Sequence, residues 1–410
     1  MQPLRVLAFS TLFPNEAQPG HGVFLEHRLS ALAAQPGVQL QVVAPVPYFP
    51  LRHGRFGRYA RFAQVPRGGR RNGLDVTHPR YPVVPKLGMT VAPAAMALAV
   101  LPHLRRLQAA GEDFDVLDAY YLYPDGVAAA LLGRLLGKPV VLTAFGSDVS
   151  QIPAHRLPRA AIRWAMRGAE GSTAVCAALR EELLRLGAAA EGMRVVLHGV
   201  DLTLFQPPQD RAALRRALGF DGPTLVSAGH LIPRKGHDLA IRAMQDLPDH
   251  TLVIVGQGPE EAALRLLAQQ LGVQHRVRFA GQVPQMRLAE IFGAADVVLN
   301  CSDREGIANV LMEAMACGTA VAAMPVWGSP EVITTPDAGL LLRDRSAGAI
   351  VDGVRRLAAC PPDRAATRQH AARFTWDDTA RQHLGVLRQA VARRNTASHT
   401  PRGTPAAKPI

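Results

Sequence analysis

The chain contains little cysteine: its 410 residues include four, and no two of them form a C-x-x-C pair. The four are Cys176, Cys301, Cys317 and Cys360. Such wide spacing excludes a disulfide framework and a cysteine-based zinc site, and it is typical of a protein in a reducing compartment. We therefore expect a cytoplasmic location.

The sequence also lacks a hydrophobic run long enough to cross a membrane. The apolar residues 87–102 include Pro93 and fall short of the ~20 residues that a membrane span needs. This run predicts a buried helix or a helix on a membrane interface. Residues 4–9 are apolar but lead into a polar loop without a small-residue cleavage site, so they predict a first strand and not a signal peptide.

Acidic residues are scarce in the first half of the chain. Residues 1–200 contain 22 Lys and Arg against 13 Asp and Glu, residues 201–392 contain 20 of each, and residues 393–410 contain four basic residues and no acid. The net charge of +13 therefore comes from the first half and the tail. This asymmetry indicates an anionic partner, either a nucleic acid or an anionic membrane surface.

Residues 52–71 contain seven arginines and no acid. Phe56, Tyr59 and Phe62 recur at three-residue spacing among the first four of these arginines. The pattern predicts an amphipathic basic helix that either lies on anionic lipid or packs its aromatic rings on the core. Because no recognised nucleic-acid module occurs, we expect no nucleic-acid partner.

Length and patterning predict two α/β domains. A chain of 410 residues with 48% hydrophobic and 19% charged residues exceeds one ordinary core. Strand-like and helical segments alternate through both halves, which predicts doubly wound sheets that bind ligands outside the carboxyl ends of their strands. Residues 206–210 are a plausible linker.

Residues 305–331 have one internal charge, Glu313, set in an apolar run. A buried carboxylate needs hydrogen-bond donors, so Glu313 is either paired to an arginine or part of a ligand site. Asn309, four residues earlier, shares its helix face. Glu305 and Gly306 follow a strand-like run and open the helix, so the amides of residues 306–309 are predicted to face an anion.

Cations follow the first strand of the second half. His230, Arg234 and Lys235 come after residues 224–228, next to glycines. Two or three positive charges at a strand exit suit a diphosphate, whose charge they neutralise as it leaves. The alternative is that these charges face solvent.

Two other motifs are not interpreted as cofactor or metal sites. Residues 256–261 imitate a dinucleotide fingerprint, but Glu261 replaces the third glycine and its charge repels a pyrophosphate, so we expect no NAD. Asp113 and Asp115 form a D-x-D in a turn-like segment, where we expect no metal.

Several of these segments resemble one family. Glu305, seven residues, Glu313 and then Ala-Met-Ala-Cys-Gly are similar to the E-x7-E motif of retaining glycosyltransferases of family 4. Residues 143–148, Thr-Ala-Phe-Gly-Ser-Asp, resemble the family's Thr-x-(His or Arg)-Gly-x-Asp, with Phe145 in place of the basic residue. Residues 198–205 resemble its Asn-Gly-Val-Asp-x-x-x-Phe, which marks the crossing between domains.

The family's Gly-Arg-Leu and Lys-Gly pattern is matched in part. Lys235 corresponds to its lysine, whereas His230 replaces its arginine. Either Arg234 or a protonated His230 substitutes for that arginine.

The resemblance implies the GT-B fold, with two Rossmann-like doubly wound domains facing each other across a cleft. Residues 1–200 would bind the acceptor and residues 201–375 the nucleotide sugar. Residues 376–392 would form a helix that packs back on the N-terminal domain. Residues 393–410, rich in Pro, Thr and basic residues, are predicted to be a disordered tail.

The resemblance also implies residue roles. Glu305 would hold the transferred sugar, while Lys235 and Arg234 would stabilise the departing diphosphate and Glu313 would bind the ribose. The implied donor-binding residues are Glu313, Gly306, Ile307, Ala308, Asn309, His230, Val283 and Gly22. Phe145 and Asp148 would lie on the acceptor side, where Asp148 either orients the acceptor or caps the following helix. No metal and no cofactor are expected.

The implied function is transfer of a hexosyl group from a nucleotide-diphosphate sugar to a glycan or lipid-linked acceptor in cell-surface polysaccharide synthesis. The enzyme would work in the cytoplasm, peripherally on the inner face of the membrane. Two other classes stay open. A GT-B-fold epimerase would convert the sugar nucleotide alone, and a non-catalytic subunit would bind it without turnover.

Overall fold

The computed structural model describes residues 3–51, 53, 55, 57–83 and 88–399. They form two compact units. The first comprises the described residues of Met1–Ala174, Arg180–Val196 and Ala380–Ile410, and the second comprises Val175–Leu179 and Leu197–Thr379. The predicted domain limits at residues 200 and 375 themselves stay predictions.

A mostly parallel sheet forms the centre of the first unit. The strands are β1 (Leu4–Phe9), β2 (Val38–Val43), β3 (Val46–Pro47), β4 (Gly68–Arg71), β5 (Leu74–Thr77), β6 (Arg80–Tyr81), β7 (Val116–Tyr120), β8 (Val140–Ala144), β9 (Gly171–Ala174) and β10 (Met193–Val195). The large sheet has the order β10–β9–β8–β7–β1–β2–β5–β4, in which β4 runs antiparallel to β5, while β3 and β6 form a separate pair. Every residue of β7 and β8 is buried, as expected for parallel strands covered by helices on both faces.

Helices accompany this sheet along the chain. They are α1 (Val23–Ala33), α2 (Arg58–Gln64), α3 (Gly88–Ala109), α4 (Val127–Leu136), α5 (Ser147–Ser150), α6 (Arg156–Gly168) and α7 (Ala177–Arg185). The first residues of α7 are grouped with the second unit. α3 contains most of the apolar run predicted as a helix, and its Met96, Val100 and Leu104 are buried. Among the described helices, none combines the length and the apolar character needed to cross a membrane.

The amphipathic helix predicted in residues 52–71 is present in part, as α2, and residues 65–71 are not helical. α2 has seven residues and ends at Gln64, because Pro66 disfavours a helical conformation at Val65, which is extended. The chain then forms β4, where Arg71 Nε lies 2.7 Å from Glu26 Oε1. Arg52 and Phe56, on which the prediction also rested, lie outside the described residues.

The second unit contains a fully parallel six-stranded sheet. Its strands are β11 (Thr224–Ala228), β12 (Thr251–Val255), β13 (Val277–Gly281), β14 (Val297–Asn300), β15 (Ala320–Ala323) and β16 (Gly339–Leu341), in the order β13–β12–β11–β14–β15–β16. The order reverses beside β11, which makes the carboxyl ends of β11 and β14 the expected ligand edge. The helices are α8 (Arg211–Leu218), α9 (His237–Ala243), α10 (Glu261–Gln270), α11 (Gln285–Ala294), α12 (Asn309–Ala316), α13 (Ser329–Val332), α14 (Ala347–Ala359) and α15 (Arg364–Ala371).

The last helix, α16 (Trp376–His399), contributes to both units. From Ala380 onward it belongs to the first unit, where Leu384 and Leu387 pack in a core cluster with Val6. Residues 393–399, predicted to be disordered, are helical instead. Arg394 Nη1 donates to Glu170 Oε1 at 3.1 Å, a long-range contact that tail composition does not reveal. The rest of the predicted tail, residues 400–410, lies outside the described residues.

Candidate functional site

Two loops at one edge of the second sheet carry the predicted cations and Glu305. β11 and β14 pair in parallel, so the loops that follow them, residues 229–236 and 301–308, leave the sheet at the same edge. The amide of Asp303 donates to the carbonyl of Arg234 at 3.0 Å and ties the loops together. Residues 70 positions apart in the chain are thereby brought into contact.

Glu305 lies at the centre of an ion-pair cluster. Its carboxylate accepts hydrogen bonds from the Lys235 ammonium and from the Ser302 hydroxyl, the latter at 2.8 Å. Arg234 Nη1 lies 3.7 Å from the same carboxylate and donates to the carbonyl of Arg304 at 2.8 Å. Glu305 is 8% exposed. Since two cations face one carboxylate, the cluster keeps a positive charge that suits an anionic ligand.

Glycines allow the loops around Lys235 to approach closely. Gly236 has φ +68°, and a Cβ there would lie 2.3 Å from the carbonyl oxygen of Cys301. A Cβ on Gly256 would lie 1.9 Å from the carbonyl oxygen of Gly229. Gly256 is the first residue of the segment that imitates a dinucleotide fingerprint, and it thus lets the loop after β12 contact the loop that carries Lys235.

α12 begins later than the sequence suggested. Its first residue is Asn309, so Gly306, Ile307 and Ala308 belong to the preceding loop and not to the first helical turn. Ile307 and Ala308 are buried there. The side-chain oxygen of Asn309, an implied donor-binding residue, lies 2.8 Å from Nδ1 of His198. The side chain of Asn309 thus has a partner within the second unit.

Glu313 has no hydrogen-bonding or ionic side-chain partner among the described residues. Its side chain is half-buried in the middle of α12, and burial raises the pKa of its carboxyl group to about 7. The predicted alternative, a structural pair with an arginine, is therefore not found in the described part of the chain. A carboxyl group in this position is suited to accept hydrogen bonds from ligand hydroxyls.

His230 and Val283 flank the same sheet edge. His230 is exposed in the loop after β11, and its carbonyl accepts a hydrogen bond from the amide of Ile232 at 2.9 Å. Val283 is half-buried between β13 and α11. The contacts of His230 and Val283 with the donor stay predictions.

Gly22 lies in the first unit, immediately before α1. Its φ is +66°, and a Cβ would lie 1.8 Å from the carbonyl oxygen of Leu12. Only glycine fits this conformation and this contact. The close backbone packing explains Gly22 by itself, and its role in donor binding stays a prediction.

Asp148 shapes the turn before α5. Its carboxylate is fully buried and accepts hydrogen bonds from the amides of Gly146 at 2.7 Å, Leu122 at 3.0 Å and Phe145 at 3.2 Å. Burial raises the pKa of this carboxyl group above its ordinary value, although the amides oppose the shift. The contacts organise the preceding loop, and any contact with an acceptor stays a prediction.

Phe145 packs among aromatic rings. It stacks on Tyr120 with centroids 6.1 Å apart and meets the edge of Phe24 at 5.0 Å. An aromatic residue at this family position therefore takes a packing role in the first unit, where a His or Arg would introduce charge.

Two polar residues near the cluster were missed by sequence reasoning. Ser302 lies three residues before Glu305, a spacing that could have indicated their hydrogen bond. His237 starts α9 and is buried, with Nδ1 2.8 Å from the hydroxyl of Ser227. Burial and the neighbouring Lys235 lower the pKa of His237 to about 4, so it is neutral at physiological pH.

A buried polar network in the first unit was also missed. Tyr120 donates to Asp118 at 2.5 Å, and Nε2 of His383 lies 2.9 Å from the same carboxylate oxygen. Arg28 Nη2 lies 3.3 Å from Nδ1 of His383, across 355 residues of chain. The network links α1, β7 and α16. No local pattern could have indicated it.

Two family models match the chain. "Glycosyltransferase Family 4" matches residues 20–204, and "Glycosyl transferases group 1" matches residues 210–374. This chain belongs to glycosyltransferase family 4. The resemblance that the sequence motifs indicated is thereby confirmed.

Curated relatives of this family 4 member include D-inositol 3-phosphate glycosyltransferases. That of Acidothermus cellulolyticus is 38% identical over 232 residues, which is 52% of this chain and 51% of the relative. That of Mycobacterium leprae is 38% identical over 207 residues, 47% of this chain and 48% of the relative. The chain spans about half the length of the curated relatives it matches.

Solved structures show the fold. A sucrose-phosphate synthase from Thermosynechococcus elongatus superposes with a TM-score of 0.76 at 21% identity, covering 96% of this chain and 100% of that chain. Anabaena HepE in complex with UDP superposes with a TM-score of 0.69 at 20% identity, covering 94% of this chain and 100% of that chain. The predicted GT-B fold of this family 4 member is confirmed.

Proposed function

We propose that this chain is a retaining glycosyltransferase of hexosyl type. It moves a sugar from a nucleotide-diphosphate sugar to a glycan or lipid-linked acceptor in cell-surface polysaccharide synthesis. The observation that carries the proposal is the cluster in which Arg234 and Lys235 face Glu305 at the carboxyl ends of β11 and β14. Glu313, without a side-chain partner among the described residues, supplies a second carboxyl group nearby in the chain.

In this reaction the bond between the sugar's anomeric carbon and the diphosphate oxygen breaks, and a bond from the acceptor oxygen to that carbon forms. Lys235 and Arg234 neutralise the charge on the departing diphosphate. The leaving phosphate oxygen takes the acceptor's proton, which balances the step. Glu305 holds the transferred sugar, and Glu313 accepts hydrogen bonds from the ribose. Because two cations serve the diphosphate, we propose that no metal or cofactor takes part.

The proposed working place is the cytoplasm, at the inner face of the cell membrane. A lipid-linked acceptor and an anionic membrane surface would both be available there. The basic surplus of residues 1–200 supports such a surface as a partner.

Release of free nucleoside diphosphate from sugar nucleotides tests the proposal. The wild-type chain should release it in the presence of glycan acceptors, and Glu305→Gln should lower the rate about a hundredfold or more, the usual effect of losing a group that stabilises the transition state. Glu290→Gln, the same change at an exposed position, should be as active as wild type. Circular dichroism checks that both variants are folded.

The other function classes give different outcomes. Conversion of the sugar nucleotide without release of diphosphate would identify an epimerase. Binding without turnover under any acceptor would identify a non-catalytic subunit. Full activity of Glu305→Gln would remove the assigned role of Glu305.

A further inference from the structure

One helix of the first unit presents an arginine surface without acids. α6 contains Arg156, Arg159, Arg163 and Arg167 and no Asp or Glu. At 100° per residue the four fall within one narrow arc of the helix, and all four are exposed. The opposite face packs inward through Pro158, Ile162, Ala165 and Met166.

A groove runs between this arginine face and α4. Arg134 of α4 lies over the ring of Trp164, with its guanidinium carbon 4.5 Å from the ring centroid. The groove is open to solvent and has a volume of about 400 Å³. Its lining residues are Arg134, Ala160, Arg163, Trp164, Arg167 and Gly168. Three arginines line this one groove, and guanidinium groups bind phosphate and phosphodiester oxygens through paired hydrogen bonds.

These charges are not neutralised by neighbouring side chains. Among the described residues, no carboxylate lies within ion-pair distance of Arg134, Arg156, Arg163 or Arg167, and Arg159 donates to the carbonyl of Pro153 at 2.6 Å. The segment first predicted to meet lipid differs in this respect. Its Arg71 is paired with Glu26, and its Arg70 lies 3.8 Å from Asp75.

Exposed apolar side chains flank the arginines. Leu157 of α6 is 64% exposed and Leu135 of α4 is 53% exposed. Leucine, tryptophan and arginine together on one exposed face are typical of a surface that lies in the headgroup region of a membrane. A nucleic-acid surface needs the positive charge but gains nothing from exposed leucines.

We propose that the α4–α6 face, defined by Arg134, Leu135, Arg156, Leu157, Arg163, Trp164 and Arg167, docks this protein on an anionic phospholipid surface. The guanidinium groups contact lipid phosphates, with one headgroup phosphate in the groove, while the two leucines reach the acyl boundary. This inference rests on the proposed work at a membrane, and it assigns that contact to α6 instead of residues 52–71.

Vesicle co-sedimentation of the full chain tests the proposal. Wild type should bind vesicles of equal parts phosphatidylcholine and phosphatidylglycerol at low salt, and it should bind pure phosphatidylcholine weakly. Arg156→Gln/Arg163→Gln/Arg167→Gln should lower the partition coefficient by at least about tenfold, because each basic residue near an anionic surface contributes about fivefold. The matched control is Arg216→Gln/Arg242→Gln/Arg356→Gln, which removes the same charge from exposed positions of the second unit and should bind like wild type.

A second variant separates the apolar contribution. Leu157→Ser should weaken binding several-fold and leave its salt dependence unchanged, because the charge is retained. Since Leu157 and the replaced arginines are exposed, the leucine variant and both triple arginine variants should keep the wild-type melting temperature.

Other results would overturn the assignment. Equal loss of vesicle binding in the two triple arginine variants would show that the membrane attracts the protein by its net charge alone. Loss only on replacing Arg55 and Arg61 would return the contact to residues 52–71. Competition by inorganic phosphate at constant ionic strength would indicate a small-anion site. Tighter binding to single-stranded nucleic acid than to vesicles would indicate a nucleic-acid partner. Absence of vesicle binding in wild type would overturn the inference, while diphosphate release from sugar nucleotides would still test the transfer reaction separately.

Discussion

In the proposed function, Lys235 is the residue on which diphosphate binding depends most directly. Its ammonium reaches the buried carboxylate of Glu305, and Arg234 lies on the other side of that carboxylate. The positive charge is therefore held in place by an anion before a phosphate arrives, so little side-chain freedom is lost on binding. Such preorganisation favours affinity.

Lys235→Ala should weaken binding of the free nucleoside diphosphate about ten- to a hundredfold, since a hydrogen bond to a charged group contributes about 1.5–3 kcal/mol. Titration calorimetry measures the change. Arg242→Ala removes an exposed cation from α9 of the same unit and should leave the affinity unchanged. Equal affinities for wild type and Lys235→Ala would argue against a phosphate contact.

Glu313 gives the stability of the protein a pH dependence. Burial raises the pKa of its carboxyl group in the folded state to about 7, from 4.5 in its ordinary environment. The folded state therefore holds the proton more tightly than the unfolded state, and wild type loses stability as pH rises through this window. Glu313→Gln does not titrate there, so it should gain stability relative to wild type between about pH 5 and about pH 8.

Urea unfolding at the two pH values measures this difference. Glu290→Gln, at an exposed position, should show a difference from wild type that does not change with pH. If the difference in stability between Glu313→Gln and wild type were also the same at both pH values, the Glu313 carboxyl group would titrate like one in solvent.

At the scale of elements, the site depends on the close approach of loops. Gly236, the residue before α9, combines a positive φ with a close contact to the loop after β14. The same two loops carry Lys235 and Glu305. A change that separates them would therefore remove the cation from the carboxylate without altering either side chain.

Gly236→Ala should lower both the melting temperature and the affinity for nucleoside diphosphate. The matched control is Gly272→Ala, since Gly272 has φ +69° and nothing within 4 Å of a Cβ. Gly272→Ala should cost about 1–2 kcal/mol from the left-handed conformation alone and leave diphosphate affinity unchanged. Gly236→Ala should cost more, because its Cβ would meet the Cys301 carbonyl at 2.3 Å. Similar effects of the two changes on affinity would show that loop contact is not needed.

Some elements could be predicted from sequence and others could not. β1 has the predicted bounds because a short apolar run next to polar loop residues is the usual signature of a buried parallel strand. β4 could not be predicted, since Gly-Gly-Arg-Arg has no apolar residue and forms an edge strand by antiparallel pairing with β5. The sequence pattern predicts the start of α12 too early, because residues 306–308 are apolar but not helical.

At the scale of the whole molecule, the family resemblance predicted the fold, which is confirmed, and it proposed candidate site residues without predicting their contacts. The pair of Lys235 with Glu305 joins positions 70 apart, and sequence spacing carries no information on such a distance. The network of Asp118 with His383 spans 265 residues and depends on the path of α16 into the first unit. Such contacts follow from tertiary structure alone.

The central claim is that the second unit binds a nucleoside diphosphate at the Lys235–Glu305 cluster. Thermal unfolding in the presence of UDP, GDP, ADP and dTDP tests it most directly. A ligand at a hundred times its dissociation constant adds about 2.7 kcal/mol of stability, which is readily visible as a higher melting temperature. The account predicts a shift with one of the four that is lost in Glu313→Ala and reduced in Lys235→Ala. No shift with any of them, or a shift that both variants retain, would contradict the account.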